Sequence, residues 1–175
     1  MLLSSLGLTN TNVLTESDVS KALDYLKTQG AAFARCSYNA LSKLLALNNT
    51  TLNADPEEVA IHTILIEILT QNLDTTQTEL KLSINSLVLA AKSYGIKLQA
   101  YEISPPDQQT MDTPFITLVD SDHYVVVTKI DKDKQTVTYY DPSDGKDGSE
   151  KTIALTDFTV HQKPYILTLS FDRLR

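Results

Sequence analysis

The spacing of apolar positions divides the chain into a helical first half and a strand-rich second half. Ser17 and Asp18 offer an N-cap ahead of Val19, Ala22, Leu23 and Leu26, which share one helical face, and Gln29-Gly30 supplies a stop. A second helix is expected to open near Cys36, carry Ala40, Leu41, Leu44, Leu45 and Leu47, and end at Asn48-Asn49. Asp55-Pro56-Glu57-Glu58 combines a cap, a proline in the first turn and acids suited to the positive helix end, leading into Val59, Ile61, Ile64, Leu65, Ile68 and Leu69. A fourth helix follows the stripe Leu80, Ile84, Leu87, Val88 and Ala91 and stops at Gly95.

Beyond Gly95 the period shortens to that of strands, expected at 96–103, 115–119, 123–130, 136–140, 152–155 and 165–171. Asp131-Lys132-Asp133-Lys134 is a polar connection, and Asp141-Pro142-Ser143-Asp144-Gly145 is a turn because proline fixes φ and glycine admits positive φ. Ser104-Pro105-Pro106 breaks both kinds of ladder and is expected to open a surface loop through Gln109. The pattern is α+β, with N-terminal helices packed on a C-terminal antiparallel sheet, and the whole chain, 1–175, is expected to be one domain.

Charge and composition narrow the function. The 15 Lys and Arg against 22 Asp and Glu give a net charge of −7, and no basic cluster offers a footprint for nucleic acid. No apolar stretch approaches the roughly 18 residues a membrane helix needs, and residues 1–8 lack the basic start of a secretory signal. Gly-rich phosphate loops, G-x-S-x-G, H-E-x-x-H and paired C-x-x-C motifs are all absent. Nucleotide and zinc chemistry lose most of their support. Asp141, Asp144 and Asp147 invite a calcium reading, but they fall at positions 1, 4 and 7 of a loop whose twelfth position is Thr152 rather than Glu.

Three residues remain with chemistry to offer: the single cysteine Cys36, His123 on a strand, and Asp141 at the end of the next strand. A thiol nucleophile needs a thiolate, which an imidazole and a helix N-terminus both favour, and the imidazole needs a third group to fix its tautomer. Each residue also has a plainer explanation: a lone cysteine is usually core, a strand histidine can face solvent, and Asp before Pro commonly opens a turn. His62 and His161, the other two histidines, are expected to be structural.

Together these residues and their surroundings resemble the papain-like C39 peptidases, which remove double-glycine leaders. The resemblance runs from about residue 29 to 171 and rests on Cys36-Ser37-Tyr38-Asn39-Ala40-Leu41, Ala91-Lys92-Ser93-Tyr94-Gly95, the segment from Pro114 through His123 to Val127, and Tyr139-Tyr140-Asp141-Pro142 with Gly145. It implies a papain-like fold, a peptide or protein substrate such as a leader peptide or a cell-wall peptide, no metal and no organic cofactor, and a triad in which Cys36 attacks, His123 exchanges protons and Asp141 orients His123. It also implies an oxyanion-hole glutamine six residues before the nucleophile. Position 30 is Gly30, so Gln29, one residue further away, takes that role, and Arg35-Cys36-Ser37 replaces the usual Asp-Cys-Gly. Asp120 and Asp122 flank the histidine and are expected to favour imidazolium if they lie near it. Two other readings stay open: a C39-like domain that has lost catalysis and binds a peptide or partner protein, and a transglutaminase-like or isopeptidase enzyme. The expected setting is a larger export or cell-envelope protein, on the cytoplasmic face of an export system or in the envelope.

Overall fold

The computed structural model describes residues 16, 17, 20, 24, 31–51, 58, 59, 61–63, 65, 66, 84–120 and 123–169. The helix expected from Ser17 lies outside the described residues except at Glu16, Ser17, Ser20 and Asp24, which are helical. The described chain falls into two compact units, one taking residues up to Tyr38 and from Leu52 to Leu98, the other taking Asn39–Thr51 and everything after Leu98.

In the first unit Glu58, Val59, Ile61, His62, Thr63, Leu65 and Ile66 are helical, as the capping signal at Asp55 predicts. The Thr63 hydroxyl donates back to the Val59 carbonyl at 2.7 Å, which allows this polar residue to be buried. Helix α2, Ile84–Ser93, buries Ser86, Leu87, Ala90 and Ala91, and Ala90 packs with Ile66. Its end is built as the sequence requires: Gly95 at φ +76° lets the Ile96 amide return to the Ala91 carbonyl at 3.0 Å, and Lys92 sits at the negative end of the helix dipole.

Helix α1, Ala31–Leu47, runs across the boundary between the two units. It begins five residues earlier than expected, so Cys36 stands in its second turn and not at its N-terminus. Its C-terminus matches expectation. Asn49 takes φ 56°, Thr50 N–H bonds the Leu45 carbonyl at 2.8 Å, and the Asn48 amide donates to the Leu44 carbonyl at 2.8 Å.

The second unit is built on six strands in the order β1-β6-β2-β3-β4-β5: β1 Leu98–Glu102, β2 Phe115–Val119, β3 His123–Asp131, β4 Thr136–Asp141, β5 Ser149–Ala154 and β6 Gln162–Leu169. The β2-β3, β2-β6, β3-β4 and β4-β5 pairs are all antiparallel. Phe115, Val119, Val125, Val127, Val137 and Ile166 form one buried cluster of the sheet. It is completed by Leu155 and Phe158 of α4, Leu155–His161, a helix that two buried anchors are too few to announce in sequence. Burying each such side chain contributes on the order of 1.5–3 kcal/mol. The segment expected to be a loop after Ser104 instead forms a short helix α3, Pro105–Gln108. Buried Gln108 donates to the carbonyls of Ile103 and Lys163, at 2.8 and 3.0 Å, and accepts from Gln162.

One irregularity positions the site. Between β3 and β4, Lys129 pairs with Thr138 but Val127 pairs with Tyr139, so Thr128 is an extra residue, a β-bulge, and its hydroxyl reaches the Thr138 carbonyl at 3.2 Å. Carrying the bulged register onward sets His123 across from Ser143, with Asp141 two residues along and therefore on the same face. In the register before the bulge, Asp141 would be three residues from the position opposite His123 and would point to the other face.

Candidate active site

His123 opens β3, where it pairs with Val119, and Asp141 closes β4, where it pairs with Ser149. The strands bring the two side chains together: His123 Nε2 lies 2.8 Å from Asp141 Oδ1, with the aspartate side chain 14% exposed and the imidazole 27%. The sequence-based pairing of these two residues is therefore present in the structure. Ser143, which sequence reasoning passed over as a turn residue, joins them. Its main-chain N–H and its hydroxyl donate to Asp141 Oδ1 at 3.0 and 2.8 Å, and the same hydroxyl oxygen lies 3.3 Å from His123 Nε2. Both atoms facing Nε2 act as acceptors, so the neutral ring carries its proton on Nε2 and Nδ1 is its basic nitrogen.

Burial pushes the Asp141 carboxyl up. The two hydrogen bonds from Ser143, followed by the charge and hydrogen bond of His123, outweigh burial and hold it below its ordinary range. On the far side Lys151 Nζ sits 3.6 Å from Asp141 Oδ2 and 3.1 Å from Asp144 Oδ2, while Ser149 donates to Asp144 Oδ2 at 2.5 Å. The acids that suggested a calcium loop thus have an ammonium group between them, and the Asp147 carbonyl accepts from the Tyr140 hydroxyl at 2.8 Å. Among the described residues no group of three or more His, Cys, Asp or Glu is arranged to hold a metal ion.

The turn carrying these groups is pinned by Tyr140. Its ring lies under Lys43 Nζ, 5.1 Å from the centroid, and it occupies the space a side chain at Gly148 would need. Cys36 is buried and takes part in no disulfide. Its backbone N–H falls inside α1, past the first turn where free amides and the dipole act on an anion, so the expected N-terminal activation does not hold for this helix. Gln29 and Asp122 lie outside the described residues. Asp120 turns to His161, the last residue of α4, whose Nδ1 is 2.8 Å from Asp120 Oδ1 at an exposed position. His62 bonds the Tyr94 hydroxyl at 2.8 Å and stacks on its ring, the structural role expected of it.

The Peptidase C39 family model matches residues 59–170, well over half of the chain and inclusive of His123 and Asp141. The chain belongs to the peptidase C39 family. The match starts after Cys36. Three solved structures share the fold. One is a double-glycine motif protease from an AMS/PCAT transporter in complex with the leader peptide, at 18% identity over 78% of this chain and 84% of that one, TM-score 0.58. Another is the N-terminal peptidase C39-like domain of the toxin secretion ATP-binding protein from Vibrio parahaemolyticus, at 14% identity over 77% and 95%, TM-score 0.54. The third is the peptidase domain of Streptococcus ComA, a bi-functional ABC transporter involved in quorum sensing, at 14% identity over 78% and 90%, TM-score 0.55. No curated protein gives a significant match to the chain. No helix among the described residues is long and apolar enough to cross a membrane.

Proposed function

We propose that this protein is a cysteine peptidase that cleaves a leader-type peptide, with Cys36 as nucleophile, His123 as general base and acid, and Asp141 as the group that orients His123. The observation that carries the reading is the 2.8 Å contact of His123 Nε2 with Asp141 Oδ1 inside a C39 sheet. With Nε2 committed to Asp141, Nδ1 takes the thiol proton, and the Cys36 sulfur attacks the carbonyl carbon of the scissile bond. His123 then returns the proton to the leaving amine as the C–N bond breaks. Water, deprotonated by the same imidazole, attacks the thioester, breaks the C–S bond and releases the acid. Gln29 is the proposed side-chain donor to the oxyanion. The substrate class follows from the leader-peptide complex of the transporter protease, and we infer a similar service to an export system for this chain.

Incubating the protein with synthetic peptides bearing a double-glycine leader, followed by mass spectrometry, tests the reading. Cleavage by the wild type and none by Cys36→Ala is the expected result; cleavage by the alanine variant overturns it.

A second reading is favoured by two observations: the family match starts beyond Cys36, and the thiol stands in the second turn of α1. On that reading the domain binds a peptide without cutting it. The pH dependence of Cys36 alkylation by iodoacetamide separates the two, because the chain has one cysteine. A rate near its plateau below about pH 7 that is lost in His123→Ala marks an activated thiol, and a rate rising only near pH 8.5 in both proteins marks a binding domain.

A further inference from the structure

We propose that Ser143 is a positioning residue of this site, whose hydroxyl fixes the Asp141 carboxylate and holds the proton of His123 on Nε2. The proposal rests on the reading of His123 as the base.

The geometry is specific to the side chain. The Ser143 main-chain N–H would donate to Asp141 Oδ1 with almost any residue at this position, since it closes a local turn at 3.0 Å. The hydroxyl adds a second donor to the same oxygen at 2.8 Å, and this commits its proton to the carboxylate. Its lone pairs then face His123 Nε2 at 3.3 Å, so this oxygen and the carboxylate both stand at that nitrogen as acceptors. An imidazole with its proton on Nδ1 would place the Nε2 lone pair against the carboxylate. The hydroxyl therefore makes the non-productive tautomer costlier. The other charged groups around Asp141 do not duplicate this: Lys151 of β5 lies on the opposite oxygen, Oδ2, and is shared with Asp144, which Ser149 also holds.

Nuclear magnetic resonance on Ser143→Ala and Ser143→Thr in the full chain tests the proposal without relying on turnover. The ring nitrogen shifts of His123 report the tautomer, and the Asp141 carboxyl shift reports its titration. In the wild type we expect the Nε2–H form of the neutral ring; in Ser143→Ala a several-fold larger fraction of the Nδ1–H form and an Asp141 midpoint displaced upward; and in Ser143→Thr a return to wild type. With a cleavable peptide, Ser143→Ala is expected to lose on the order of tenfold in kcat/KM, carried by kcat, as suits the loss of one hydrogen bond to a charged group. Unchanged tautomer and Asp141 midpoint in Ser143→Ala would overturn the proposal whatever the activity. Shifted resonances in Ser143→Ala, with a wild type that cleaves no peptide, would retain the positioning role and refute the peptidase reading.

Discussion

Asp141 is the residue on which the site depends, because His123, Ser143 and Lys151 all reach its carboxylate. Replacing it by asparagine removes the charge that stabilises imidazolium and lets the amide present an N–H to Nε2, which favours the wrong tautomer. A fall of about 10²–10⁴-fold in kcat is expected from steady-state assays. The same carboxyl contributes to stability with a definite sign. Its folded pKa lies below the ordinary value, so its stabilisation is complete above about pH 4 and is lost as pH falls through the depressed folded value. Urea midpoints measured from pH 6 down to pH 2 should therefore fall less steeply in Asp141→Asn than in the wild type. The His123 and Asp141 partnership was readable from residue type and strand order. Ser143 was not, because its role depends on which side of a turn its hydroxyl faces, and a serine two residues after an aspartate is common in turns.

At the scale of elements, periodicity located strands wherever a buried face forced alternation, and β2 coincides with its expected bounds. Two elements escaped. Helix α4 holds only Leu155 and Phe158 against the sheet and carries β-branched Thr156, Thr159 and Val160, so its pattern reads as strand or loop; Phe158 finds its partner in Tyr139, ring centroids 5.0 Å apart. Helix α3 forms despite two prolines because both fall in its first turn, where a missing N–H costs nothing. The site turn yields two predictions. Gly148→Ala drives a methyl into the Tyr140 ring and hydroxyl at φ +75°, and thermal unfolding should show a loss of roughly 1–3 kcal/mol. Deleting Thr128 removes the bulge but leaves Lys129 opposite Thr138 and Val127 opposite Tyr139, so His123 should stay beside Asp141 with its ring-nitrogen NMR shifts unchanged, whereas inserting one alanine between Tyr124 and Val125 moves His123 one position along the ladder and should change them.

For the molecule as a whole, acid acts in two separate ranges. In the helical unit His62 is held neutral: burial lowers its pKa, against the opposing charge of Glu58. With the folded value below the unfolded 6.5, the unfolded chain binds the extra proton first, so stability declines as pH drops below about 6.5, well before Asp141 titrates. His62→Phe should flatten the unfolding curve just below about pH 6.5 and leave the part in which Asp141 titrates unchanged, as followed by urea titration. Architecture at this scale, helices first and an antiparallel sheet after, was legible because it needs only the change of period near Gly95. The start of α1 was not. The sequence around Cys36 carries no cap to mark it, and the resemblance suggested a helix opening at the nucleophile.

The extra residue at Thr128 also constrains how this protein can change over evolutionary time. The bulge absorbs Thr128 without moving the pairs on either side of it, Val127 with Tyr139 and Lys129 with Thr138, so a lineage can lose this one residue and keep His123 and Asp141 on one face, whereas a single residue gained between His123 and Val127 slips one strand past the other and parts them. Relatives aligned through this hairpin should accordingly tolerate a one-residue gap at Thr128 with the histidine and the aspartate both retained, and a one-residue change between His123 and Val127 should mark a domain that has given up the pair.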